Sequence, residues 1–161
     1  SWGPIDYLLV DMPPGTGDIQ LTLSQQVPLT GAVVVTTPQD IALIDAKKGL
    51  RMFQKVNVPI LGIIENMSVF ICPHCGEVEH IFGEGGAKRM SEQYGVPLLG
   101  ELPLSAKIRE QADSGLPTVA AEPDGKEALM YREMAMKVAG ALARITKDYT
   151  AKMPGIRVVN D

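Results

Sequence analysis

Cysteine is scarce. Two residues in 161, Cys72 and Cys75, are too few for a disulfide framework, so a reducing, cytoplasmic setting is expected. Positive charge is also short: 15 basic against 19 acidic residues leave a formal net charge of −4. That balance supplies no footprint for nucleic acid and none for an anionic membrane surface. No apolar run approaches the roughly 20 residues of a membrane span, and no secretory leader is visible at the start. Ser1 stands where Met would begin a chain, so an original N-terminus is expected upstream. Internal repeats, low-complexity segments and a visible domain boundary are missing as well. What remains is an ordinary globular composition, 45% hydrophobic, in a chain long enough for one domain with a real core.

The stretch Tyr7-Leu8-Leu9-Val10 has no polar alternation and reads as a strand buried on both faces, the kind found in helix-covered parallel sheets. Pro13, Pro14, Gly15 and Gly17 forbid its continuation, leaving Asp11 at the strand's carboxyl end before a stiff loop. In open α/β sheets that edge binds ligands, and in nucleotide hydrolases an Asp placed there holds Mg²⁺. Asp18 looks like the cap of a short helix, Ile19 to Val27, stopped by Pro28. Ala32 to Thr37 is a second buried strand, rich in β-branched residues. A helix beginning near Thr37-Pro38 carries Ala42, Ala46, Leu50 and Phe53 at helical spacing. Ile60 to Ile64 is a third strand, ending at Glu65-Asn66.

Between Met67 and Phe82 periodicity fails. A polar helix then runs from Ala87 to Tyr94, closed by Gly95, and a short strand covers Pro97 to Gly100. Ser105 caps a helix through Ile108 and Ala112. Asp124 and Glu127 form a capping-box pattern before the longest helix, with Leu129, Met134, Val138, Leu142 and Ile145 on one face. Lys152 to Asp161 has no assignable partner. Strands alternating with helices over short connections predict a mostly parallel α/β sheet with helices on both faces. Three or four strands are few for such a sheet, so an incomplete domain is expected.

Cys72-Pro73-His74-Cys75-Gly76 is a knuckle: two thiolates two residues apart can grip one metal centre, and Gly76 permits the positive φ of a tight turn. Zinc, an iron–sulfur cluster and a redox dithiol all use such pairs. A redox pair draws its reactivity from a helix N-terminus, which Gly76-Glu77-Val78 does not provide. A metal centre needs four ligands. His74 or His80 could complete a zinc site within one chain, or two chains could each give Cys72 and Cys75 to a site on a dimer axis. Two free thiols in a loop is the plain alternative.

Asp11-Met12-Pro13-Pro14-Gly15-Thr16-Gly17-Asp18 resembles the switch II and Walker B stretch of the Mrp family of iron–sulfur cluster carrier ATPases, deviant-P-loop proteins related to MinD. Thr36-Thr37-Pro38-Gln39, Gly62 to Ser68, the cysteine knuckle, Phe82-Gly83 and Gly100-Glu101-Leu102-Pro103-Leu104 match in the same order over nearly the whole chain. The resemblance implies a P-loop NTPase fold and a homodimer joined through the knuckle. It also implies ATP with Mg²⁺, and a [4Fe-4S] cluster passed to apo iron–sulfur proteins. Asp11 would act on Mg²⁺, and Gly15 would sense the γ-phosphate. Asn66 would hydrogen-bond the adenine, with Pro103 and Leu104 packing near the base. Cys72 and Cys75 would bind the cluster between two subunits.

One departure is large. The glycine-rich loop ending in Gly-Lys-Ser or Gly-Lys-Thr is absent from these 161 residues, so nothing cradles the β- and γ-phosphates. Residues 1–161 are therefore expected to be a C-terminal portion of the domain, neither hydrolysing ATP nor binding it tightly alone. The rivals are a zinc-knuckle interaction module on a degenerate nucleotide fold and a MinD-like regulatory ATPase. The latter lineage has no need of the cysteine pair, and no terminal amphipathic anchor is visible.

Overall fold

The computed structural model describes residues 3–13 and 17–145, and no helix among them is long and apolar enough to cross a membrane. In chain order the elements are α1 (Asp18–Gln26), β1 (Ala32–Thr36), α2 (Asp40–Lys55), β2 (Ile60–Glu65), β3 (Phe70–Ile71), β4 (Val78–Glu79), α3 (Gly86–Tyr94), β5 (Leu98–Glu101), α4 (Ala106–Asp113), α5 (Thr118–Ala121) and α6 (Lys126–Ala143). Strands β1, β2 and β5 form a parallel sheet in that order, with Val34 opposite Ile63 and Ile63 opposite Leu98. The crossovers through α2 and α3 follow from the apolar strand runs: a strand with no polar face needs helices over it.

One face of the sheet packs against α2 and α3. Val34 and Ile63 meet Leu43 and Leu50 of α2 and Ala87 and Met90 of α3, all buried. On the other side lies α6, and Gly100 shows how close it comes: a Cβ there would sit 2.6 Å from Met134 Cγ. The absence of a side chain at Gly100 lets the buried Met134 cover the strand.

Four expectations need correction. Tyr7 to Val10 form no strand, and they are 60, 55, 88 and 48% exposed. A strand exists only with a hydrogen-bonded neighbour, and among the described residues β1 pairs with β2 alone, leaving its outer edge unpaired. Gly17, and not Asp18, is the N-cap of α1; Asp18 stands in the first turn. Asp124 does not cap α6, whose N-cap is Gly125, without a side-chain bond. Leu129 is 53% exposed, and Ala128 takes the buried place with Met134. Lys152–Asp161 lies outside the described residues.

Candidate functional site

β3 and β4 pair antiparallel, Phe70 with Glu79 and Ile71 with Val78, and the cysteines occupy the turn between them. The turn closes through two backbone bonds, Cys72 N–H to Glu77 O and Gly76 N–H to Cys72 O, each 2.9 Å. Gly76 sits at φ +75°, where a side chain would strain. Cys72 is half-buried and Cys75 exposed. The Cys72 thiol is held below its ordinary pKa, first by the backbone N–H of Cys75, then by that of His74 and by the Cys75 thiol. Hydrogen bonds to the charged form favour the thiolate, which is the metal ligand.

Among the described residues, the histidines are not placed to complete a metal site with the cysteines. His80 Nδ1 lies 3.3 Å from Ser68 O, and Nε2 lies 4.0 Å from the Glu84 carboxylate. Among the described residues, no group of three or more His, Cys, Asp or Glu is placed to hold a metal ion. The hairpin and the segment after it also leave Ile71, Val78 and Ile81 exposed at 43, 56 and 53%.

The second candidate region is the carboxyl edge of the sheet. Asn66 follows β2 and donates its backbone N–H to Thr36 O at 2.7 Å, joining that edge to the end of β1. Its Oδ1 accepts the Met67 N–H at 3.0 Å, and Met67 itself sits at φ 56°. Leu102 N–H donates to Glu65 O, and Leu104 N–H to Val69 O, both at 2.8 Å. Pro103 and Leu104 therefore continue from β5 beside the segment that follows Asn66. Asp11 is exposed, off any strand, and no hydrogen bond or ion pair among the described residues links it to this edge. Gly15 lies outside the described residues. A cleft of about 430 Å³ opens nearby, between Ser68, Glu101 and Pro103 on one side and Lys126, Met130 and Met134 on the other. Of the expected base-contacting residues only Pro103 lines it.

Sequence reasoning missed Glu65. It is 1% exposed, and its Oε2 accepts the backbone N–H of Ala87 at 2.6 Å. Burial pushes its carboxyl up, the Ala87 N–H opposes that, and the Glu101 carboxylate adds to the rise. The available signal was a charged residue closing a strand, Ile60 to Ile64, otherwise without charge.

Known proteins match this arrangement. The iron–sulfur cluster carrier protein of Pseudomonas fragi is 60% identical over 136 residues, covering 84% of this chain and 47% of the relative. The Archaeoglobus fulgidus nucleotide-binding protein, solved in complex with ADP, superposes with a TM-score of 0.67 at 37% identity over 81% of this chain and 52% of that one. The cell division ATPase MinD of Pyrococcus furiosus superposes at 0.54 with 26% identity over 69% of this chain and 43% of its own. The chain thus spans about half the length of the relatives it matches. A family model described as ParA, NUBPL iron-transfer P-loop NTPase, covers residues 1–139. With that match over most of its length, the chain belongs to the NUBPL iron-transfer P-loop NTPase family.

Proposed function

We propose that the chain belongs to an ATP-dependent iron–sulfur cluster carrier, and that Cys72 and Cys75 of two copies hold one bridging [4Fe-4S] cluster as cargo for apo iron–sulfur proteins. The observation that carries this reading is the knuckle: two cysteines at one hairpin turn, one biased to thiolate, with no third ligand beside them among the described residues. A tetrahedral or cluster site then needs ligands from a second molecule. The exposure of Ile71, Val78 and Ile81, close to the cysteines in the chain, supports a homodimer there, since it offers apolar surface to a partner. Cluster sulfides and iron are lost readily to oxidants, which fits a reducing, cytoplasmic setting. The names of the relatives, cluster carrier and cluster transfer proteins, agree with the cargo.

Nucleotide binding is the second half of the proposal. Asn66 suits a base: its Oδ1 is engaged by Met67, while its amide N–H groups donate to no described residue and could donate to an adenine nitrogen. Pro103 and Leu104 would flank the ring, Asp11 would act on Mg²⁺, and Gly15 would respond to the γ-phosphate. Bound ATP would supply the free energy that changes how the two subunits sit around the cluster. The residues present fit a base, whereas phosphates need a lysine loop these 161 residues lack.

Anaerobic reconstitution with iron and sulfide tests the cargo. The expected product is brown, with iron and sulfide bound and both lost in Cys72→Ser. Stoichiometric zinc without colour would replace this reading by a zinc-knuckle interaction module.

A further inference from the structure

The cysteine hairpin belongs to an excursion, residues 66–86, that leaves the sheet at the end of β2 and returns at α3. Its outgoing arm is zipped to the continuation of β5 by backbone bonds. Ser68 N–H donates to Leu102 O at 2.9 Å, Leu104 N–H donates to Val69 O at 2.8 Å, and Phe70 bridges Leu104 in parallel. The returning arm is held differently. His80 leans on Ser68 O at 3.3 Å, Gly83 N–H donates to His80 O at 3.0 Å, and the arm then enters α3 at Gly86. The N-cap of α3, Gly85, has no side chain to offer the first-turn amides.

Glu65 fills that role from another element. Its backbone closes β2, and its side chain accepts the N–H of Ala87, the second residue of α3. The two ends of the excursion are therefore clamped to each other by one buried carboxylate. Ala87 is itself fully buried against the core, so the clamp is anchored at both ends. A side-chain oxygen in that place, charged or neutral, gives the N–H of Ala87 the acceptor that the helix itself does not supply.

We propose that Glu65 is a positioning residue for the cysteine hairpin: by clamping the end of β2 to the start of α3, it fixes where the returning arm meets the sheet and so how the knuckle is presented. Its consequence for cluster retention rests on the reading of Cys72 and Cys75 given above. The clamp itself does not.

The test compares Glu65→Ala, which removes the acceptor, with Glu65→Gln, whose Oε1 can still accept from Ala87. In the reduced chain without iron, amide hydrogen exchange is followed at Ala87 and Gly83, on the clamp and the returning arm, and at Ile63 in the sheet core. Losing one buried hydrogen bond should speed exchange at Ala87 and Gly83 about tenfold in Glu65→Ala while Ile63 keeps its protection. Glu65→Gln should stay within about twofold of the native chain. In the reconstituted chain, iron loss to a chelator should quicken about tenfold in Glu65→Ala and be restored in Glu65→Gln. If Glu65→Ala does not fold, Glu65→Asp, which draws the carboxylate back by one methylene, takes its place with the same expectations. The proposal is overturned if Gly83 exchanges at the native rate without the acceptor, if Ile63 loosens equally, or if iron loss is unchanged. It is also overturned if Glu65→Gln behaves like Glu65→Ala. Should the native chain retain no iron, the cluster reading fails by itself, and the exchange rates still decide the clamp.

Discussion

The backbone N–H of Asn66 donates to the carbonyl oxygen of Thr36 at 2.7 Å, so the carboxyl ends of β2 and β1 meet at one point on the edge of the sheet. Asn66, Pro103 and Leu104, the residues proposed for a nucleotide base, lie along that edge. Asp11, the residue expected to act on Mg²⁺, is exposed and away from any strand. We therefore expect no ATP turnover by residues 1–161 above that of an Asp11→Asn, Asn66→Ala double variant. Phosphate release measured with both proteins checks this, and a clear excess for the native chain would refute it.

Tyr7–Val10 gives a second expectation. Leu9 is 88% exposed, so Leu9→Lys should change the unfolding free energy of the chain by less than about 0.5 kcal/mol, as surface changes do. Were the segment buried on both faces, the same charge would cost several times that. Urea denaturation of the two proteins separates the cases.

Gly100 and Met134 make a packing prediction. A Cβ at Gly100 would sit 2.6 Å from Met134 Cγ and 2.8 Å from its Sδ. Gly100→Ala should destabilise by about 1–3 kcal/mol, the usual range for overpacking, and Met134→Ala in the same chain should recover part of the loss. Additive losses in the double variant would show that the two sites do not meet.

Glu65 sets a pH dependence with a definite sign. Its folded pKa is raised above 4.5, chiefly by burial, with Glu101 on β5 adding to the rise and the Ala87 N–H and Arg89 of α3 opposing it. The folded chain thus holds the proton more tightly than the unfolded one. Glu65's contribution is fully present below 4.5 and is lost as pH rises through the folded pKa. The stability of the native chain relative to Glu65→Gln should fall from pH 4.5 toward neutrality. A difference that stays flat or grows over that window would contradict the assignment.

At the knuckle, backbone amides hold the Cys72 thiol below its ordinary pKa. Amides of Cys75 and His74 stabilise its thiolate, so Cys75→Ser, which keeps those amides, should be alkylated at neutral pH about several-fold faster than Cys72→Ser. Equal rates would mean that the amides do not act on Cys72.

Much of this was legible in the residues themselves. The runs Ala32–Thr36 and Ile60–Ile64 have no polar alternation, and both form strands of the parallel sheet, β2 in its middle and β1 at its edge. Gly95 closes α3 at φ 63°, as a glycine after a polar helix should. Tyr7–Val10 carried the same apolar signal and formed no strand, because an apolar run records a need for covering neighbours and cannot say whether they are there. The β3–β4 hairpin and the four-residue helix α5 were too short for periodicity to reveal. Nothing in the residue pattern marks Glu65 as a partner of Ala87, because the two meet only through tertiary packing.

The account turns on whether two copies share one cluster through Cys72 and Cys75. Native mass spectrometry of the anaerobically reconstituted chain reads this directly. The predicted species is two chains plus the mass of one [4Fe-4S] cluster, reverting to single chains without iron in Cys72→Ser. A single chain carrying one zinc ion, or a dimer whose iron survives Cys72→Ser, would contradict it.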